Sequence, residues 1–305
     1  MIDVQRLRVL RTVAEHGSFN RAAAALHLTP SAVSQHVAAL ERSLGAQVVA
    51  RSTRGVTLTP AGVIMVGAAE SVAAELVHAK QQVDQLGSGR SQITIATFTS
   101  GGRLLLPDAL ARLAAVHPGT LVHVREAEPE DSLPLVRQGA VDVAIAYHFD
   151  GPLPGRLGPS TGLAWTTLME DPLHVVLPDT HRLAGRTSLD IAELAAEPWV
   201  LGCLKTEAYL RRHAESAGFD PEVRSTTTDY FFARSLVAAG VGISLIPSIA
   251  LTPRIAGVRT IPIAPPAPTR HIGVATILRR RHPQVMTLVA ALQDQSPTLD
   301  YAARR

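Results

Sequence analysis

The stretch LHLTPSAVSQHVAALERSLG, residues 26–45, constrains the chain more than any other. Thr29 suits an N-cap, and Pro30 suits the first helical position, where its missing N–H would have no partner in any case. Val33, Val37, Leu40 and Leu44 follow at spacings of four, three and four, which is one apolar stripe of a helix. Pro30, Ser31, Ser34, Gln35 and Ala38 fall opposite that stripe, and Ser34, Gln35 and His36 form a polar ridge near the N-terminus. A helix that only filled a core would not need such a ridge. A narrow surface of hydroxyl and amide groups suits a major groove, where hydrogen bonds read base edges.

The flanking sequence agrees. Val4, Leu7, Val9, Leu10, Val13 and Ala14 keep a helical rhythm, Gly17 stops it, and Ser18 caps the short Ala-dense helix NRAAAAL. After Gly45 two β-prone runs, Val48–Ala50 and Val56–Leu58, flank RSTRG. They predict a hairpin with Arg51 and Arg54 at its tip, a wing whose arginines reach phosphate or the minor groove. Residues 1–60 hold seven Arg against three acids, whereas residues 91–305 hold 20 basic and 20 acidic residues. The positive excess therefore sits where the helices and wing are, as contact with a polyanion requires. Three such helices also suit a protein–protein module, and two turn arginines alone are commonly just solvated. Charge, helix order and wing together favour double-stranded DNA.

The segment RVLRTVAEHGSFNRAAAALHLTPSAVSQHVAALERSLGAQVVARSTRGVTLTPAG resembles the winged helix-turn-helix of LysR-type transcriptional regulators. The GSF cap, the Ala-rich second helix, SAVSQHV, LE..LG, R..RG and LT.AG occur in order without gaps. By that resemblance Pro30, Ser31, Ser34 and Gln35 fall where the family touches bases, and Ser18, Arg21, Thr29 and Arg54 fall near phosphates. Many members carry Arg where this chain has Gln35, and Gln where it has Pro30. The aromatic residue usual in the family is missing around Val48–Val49. Glutamine favours adenine where arginine favours guanine.

From Pro60 to Leu86, Met65, Ala69, Val72, Leu76, Ala79, Val83 and Leu86 alternate spacings of four and three. That is a heptad seam, and it predicts a linker helix pairing with a second copy. An amphipathic helix packed on its own chain is the alternative. The resemblance also implies dimerisation through this helix, and a homotetramer of two dimers. Gly87–Ser91 then reads as a flexible hinge.

Strands and helices alternate through the rest of the chain. QITIAT, TLVHVREA and VDVAIAY with two intervening helices make a βαβαβ run and a parallel sheet. A second set runs from PLHVVLP to VGISLIP, after which the chain returns through TRHIGVATIL to a last helix. The expected fold is α/β: a winged helix-turn-helix at 1–59, a linker helix at 60–86, a hinge at 87–91 and a two-lobed effector-binding domain at 92–305. Lobe 1 covers about 92–161 and 266–305, and lobe 2 about 162–265. The layout resembles the family's effector domain, which is like a periplasmic solute-binding protein. Such lobes hold a small molecule in their cleft. Thr97, Phe98, Thr99 and Ser100 enter a helix N-terminus, where an anion would be favoured or Ser100 would simply cap. Leu201, Gly202, Thr228 and Asp229 are placed at the facing lobe's rim, with Asp229 also a natural cap, and Tyr147 ends a strand near the crossover.

Other functions are excluded by what is missing. The one cysteine, Cys203, rules out a disulfide framework and a cysteine zinc site, and it reads as an inert small residue. No HExxH, GxSxG, phosphate loop or GxGxxG occurs, so neither catalysis, nor a metal, nor a cofactor is expected. EAEPED reads as a solvated loop. The N-terminus carries Asp3, Arg6, Arg8, Arg11 and Glu15, unlike a signal peptide, and the uncharged run Ser235–Pro253 reads as helix, turn and buried strand. The expectation is a cytoplasmic, effector-switched regulator, with a solute-binding protein or an enzyme on the α/β lobes as the weaker alternatives.

Overall fold

The computed structural model describes residues 2–52, 55–88, 91–149, 162–265, 267–278 and 282–303. Three helices open the chain: α1 (Val4–His16), α2 (Phe19–Leu26) and α3 (Pro30–Leu44). Each begins at a side chain that takes an orphan backbone N–H. Asp3 accepts from Gln5 N, Ser18 from Arg21 N at 3.4 Å and Thr29 from Ala32 N at 3.2 Å. Gly17 and Gly45 end α1 and α3 with φ of 60° and 65°, where a Cβ would be strained. The 4-3-4 stripe does what it predicts: Val33, Val37 and Leu40 are buried against Leu7, Val9, Leu10 and Val13.

Strands β1 (Val49–Ser52) and β2 (Gly55–Leu58) pair antiparallel, Val49 opposite Leu58. The wing is fastened to the helices. Val48 N donates to Glu41 Oε1 at 2.9 Å, and Val56 N to the Gly17 carbonyl at 3.1 Å. The linker helix α4 (Pro60–Ser88) starts directly beneath it. A Cβ on Gly62 would lie 1.9 Å from the Val48 carbonyl oxygen, the oxygen that accepts from Thr59 N at 3.1 Å. Gly62→Ala is therefore expected to push α4 off the wing and to lower the melting transition of this domain, by about 1–3 kcal/mol in stability.

The first half of the apolar stripe on α4 also packs within the chain: Ala69 is buried and Met65 and Val72 are partly buried against the core of the helix-turn-helix. Leu76 and Val83 stay exposed at 59% and 65%, as do Val63 and Ile64 at 60% and 68%. Heptad arithmetic finds an apolar stripe, but it does not say whose core the stripe enters. α4 also runs through Ser88, into the segment expected to be a hinge; residues 89–90 lie outside the described residues. Over Pro60–Val77 this helix is long and apolar enough to cross a membrane, and its inner face is spent on α1.

Beyond α4 come β3 (Gln92–Thr97), α5 (Thr99–Val116), β4 (Leu121–Glu126), α6 (Pro129–Arg137) and β5 (Val143–His148). β3 pairs parallel with both β4 and β5, so the βαβαβ expectation holds. β6 (Leu163–Pro178) is longer than PLHVVLP suggested: its 16 residues span about 50 Å. Its first half pairs with β11 (Thr269–Ile277) in lobe 1, and its second half with β9 (Ser244–Pro247) and β10 (Val258–Pro262) in lobe 2. One continuous sheet, ordered β10-β6-β11-β5-β3-β4, thus threads both lobes. The expected lobe boundary at residue 162 falls before β6 begins, although the strand leaves lobe 1 only near its middle.

Lobe 2 adds β7 (Pro198–Leu201), α7 (Leu204–Ser216), β8 (Glu222–Thr226) and α8 (Tyr230–Ala238). β7 and β8 form a small parallel pair, tied to the main sheet by a bridge between Trp199 and Ile243. α9 (Pro283–Ala303) returns to pack on α5. Each lobe has its own core: Ile93, Ile95, Leu105, Ile145 and Leu288 in the first, Leu173, Val175, Trp199, Leu210 and Leu245 in the second.

Candidate functional site

The helix-turn-helix presents an exposed row along α3. Pro30, Ser31, Gln35 and Ala38 are exposed along one side of α3, with Arg42 continuing the row. Ser34 and His36 are only half-buried flanks of that row, not its crest. Val33 and Val37 face inward, and their neighbours at 34 and 36 turn partly with them. Thr29 Oγ1 lies 3.1 Å from Ser31 Oγ, which orders the helix entry. Ser18 is committed to capping α2, and Arg21 is exposed one turn on. Arg51 lies in β1, its side chain outside the described residues, and Arg54 lies outside them altogether.

The second site is the cleft between the lobes. Its free volume is about 10 Å³, room for one water-sized molecule, and it is lined by Phe98, Thr99, Ser100, Tyr147, Thr228 and Asp229 from the sequence-derived set. Thr97, Leu201 and Gly202 lie behind the wall instead. Thr97 is buried with its methyl against Gly102, and Leu201 belongs to the lobe 2 core. Gly202 carries the Tyr230 ring so closely that a Cβ would sit 2.4 Å from it. Five wall residues were not foreseen: Glu128, Cys203, Tyr230, Phe231 and Arg270.

Arg270 is the centre of this site. It lies on β11 opposite Asp171 of β6, at the place where the two long strands pass from lobe to lobe. Both side chains are fully buried, and Nε donates to Asp171 Oδ2 at 2.7 Å. One Nη donates to Ser100 Oγ at 3.0 Å, so Ser100 accepts from a guanidinium rather than capping α5. The guanidinium carbon stands 5.0, 4.7 and 5.8 Å from the ring centres of Phe98, Tyr147 and Tyr230. Burial alone would lower the Arg270 pKa; the Asp171 charge and the two tyrosines outweigh it and raise it. Burial likewise raises both tyrosine hydroxyls, with Cys203 and Glu128 adding to the rise at Tyr147.

The remaining polar groups close the cleft. Tyr147 OH donates to Glu128 Oε2 at 2.8 Å and lies 3.8 Å from Cys203 Sγ. Lys205 of α7 reaches across to Glu128, 3.3 Å away, and to Glu130. Burial lowers the Lys205 pKa, against the pull of Glu128. On the other rim Arg103 lies 3.7 Å above the Phe231 ring. Asp229 caps α8 by accepting from Phe231 N at 2.7 Å, the role its position suggested. Thr99 donates to Glu126 at 2.5 Å, so the α5 entry already faces a carboxylate of its own chain.

Two family models match the chain. The model of the bacterial regulatory helix-turn-helix protein, lysR family, matches residues 4–63, and the LysR substrate binding domain matches residues 86–297. The DNA-binding transcriptional dual regulator OxyR of Escherichia coli is 28% identical over 304 residues, 96% of each chain. A probable hydrogen peroxide-inducible genes activator of Mycobacterium avium is 33% identical over 279 residues, 88% of this chain and 86% of that one. A solved H2O2-bound mutant of Corynebacterium glutamicum OxyR matches 99% of this chain and 96% of its own, with 24% identity and a TM-score of 0.57. A helix-turn-helix with an exposed polar ridge, joined to a two-lobed cleft domain, places the chain in the LysR family of DNA-binding transcriptional regulators with a small-molecule effector domain.

Proposed function

We propose that the exposed row of α3 reads an operator, that ligand in the interlobe cleft changes that reading, and that the working unit is at least a homodimer. Pro30, Ser31, Ser34 and Gln35 take base edges, while Ser18, Arg21, Thr29, Arg51 and Arg54 serve phosphates. The observation that carries this is the exposed Ser31–Gln35–Ala38 row on a helix whose opposite side buries Val33, Val37 and Leu40. The exposed Leu76 and Val83 of α4 support pairing of linker helices, which would place two recognition helices on two half-sites. The domains are then 1–59, 60–86 and 92–305, and the protein acts in the cytoplasm as a regulator rather than an enzyme. Genome-wide mapping of bound DNA tests the reading. A shared inverted repeat lost in Ser31→Ala, Gln35→Ala supports it, and enrichment indifferent to that change overturns it.

Charge in the cleft favours an uncharged effector over the anion that the α5 entry alone would admit. Arg270 is neutralised by Asp171, Lys205 by Glu128 and Glu130, and Asp229 stands at the wall. A small, uncharged polar molecule fits that balance without leaving a buried charge unpaired. Hydrogen peroxide belongs to that class, and the names of several relatives carry it. Cys203 in the wall gives it a target: the thiol and peroxide yield a sulfenic acid and water. With a single cysteine no disulfide can close within the chain. Sub-stoichiometric peroxide should therefore add one oxygen atom at Cys203, trappable by a sulfenic acid probe, and change operator affinity. Cys203→Ser should lose both responses. An operator response that survives Cys203→Ser rejects the thiol as sensor.

A further inference from the structure

The two ends of α6 touch the two parts of the molecule that must communicate. At its N-terminal end Glu128 and Glu130 hold Lys205 of lobe 2, across the mouth of the cleft. At its C-terminal end Arg137 Nε lies 3.3 Å from Glu70 of the linker helix. Gly139, just past the helix at φ 71°, is pressed on α4: a Cβ there would sit 2.9 Å from Ala74 Cα. Ala74 is accordingly buried at 2%, although Leu76 and Val77 beside it are exposed. The nine residues of α6 span about 13 Å, and Pro129 and Pro134 fix two of its φ angles. Pro129, Ser132 and Val136 are buried, and the helix packs on β5.

We propose that α6 is a strut that couples closure of the cleft to the seat of the linker helix. The proposal rests on the cleft being the effector site. Lys205 draws lobe 2 onto one end of the strut, and the contact of Gly139 with Ala74 leaves no slack at the other. Separating the lobes releases Glu128 and Glu130, and the strut then no longer holds α4 in the same place. The linker helix carries the helix-turn-helix through Met65, Ala69 and Val72, so a shift at Ala74 reaches the DNA-reading surface. Two discrete arrangements of packed elements are what such coupling requires, and it acts in both directions.

Hydrogen–deuterium exchange on the full-length protein without effector tests the strut. Lys205→Ala should speed exchange in the part of α4 around Ala74 by about 2- to 30-fold. Arg137→Ala should in turn speed exchange in the first turn of α7, the reciprocal effect at the far end. Lys205→Met, which keeps the stem and removes the charge, should behave as Lys205→Ala does. If Lys205→Ala loosens α7 while α4 stays as protected as before, the strut is wrong. Coupled exchange in a protein that binds no cleft ligand would refute the effector reading alone. A ligand that still shifts operator affinity in Lys205→Ala with α4 unmoved would refute the strut alone.

Discussion

Replacing Arg270 by leucine is expected to cost the effector domain about 3–5 kcal/mol, because it strands Asp171 as a buried, unpaired carboxylate. In a domain of this size that lowers the melting transition by on the order of 10 °C. Asp171 would keep a single bond from Ile249 N at 3.0 Å, too little for a charge removed from water. Ser100 would lose its donor, and the rings of Phe98, Tyr147 and Tyr230 would face a cavity in place of a cation. The pair and the single change are distinguishable. Removing both charges, with Arg270→Met and Asp171→Leu together, should recover most of the lost stability, since two apolar groups leave no orphan. Calorimetry on the three variants decides the matter. A single change that melts within about 2 °C of the parent would mean that water reaches Asp171. The double variant should remain folded and yet lose its response to effector, because the group joining Ser100 to the crossing strands is gone.

That pair also shows where a sequence stops being legible. The helix-turn-helix was readable because its information is local. Caps lie within three residues of what they cap, and the stripe on α3 repeats within one helix. Phe98 to Ser100, Tyr147, Thr228 and Asp229 were found because ends of strands and starts of helices collect in a cleft whatever the side chains are. Arg270 and Asp171 lie 99 positions apart, and only the register of β6 against β11 joins them. The available signal was one charge of each sign, Asp171 and Arg270, each followed within its strand by an apolar run, since such charges are seldom buried without each other. Cys203 was set aside as inert by its residue type, which says nothing about the tyrosine beside it. For α4 the stripe was correctly located, but its first half is spent within the chain, a matter of tertiary packing that a repeat of four and three cannot express.

Gln35→Ala is the change expected to separate specific from general DNA binding most sharply. Its amide stands on the exposed side of α3, one turn from the N-terminus, where a recognition helix meets base edges. A glutamine that takes both edge atoms of an adenine contributes about 1–3 kcal/mol of discrimination. Two half-sites read by a dimer double that, so affinity for the operator should fall by about 30-fold or more. Affinity for unrelated duplex should stay within a factor of about two, because phosphate contacts supply that binding and no charge is removed. The slope of log affinity against log salt should be the same in both proteins for the same reason. An arginine variant, Gln35→Arg, sharpens the test: it should move the preferred base at that position from adenine to guanine, read directly by selection from random duplexes. Selection of the parental sequence by both variants would show that this position does not face the bases. The reading of α3 would then have to rotate toward Ser31 and Arg42, the remaining hydrogen-bonding groups of its exposed row.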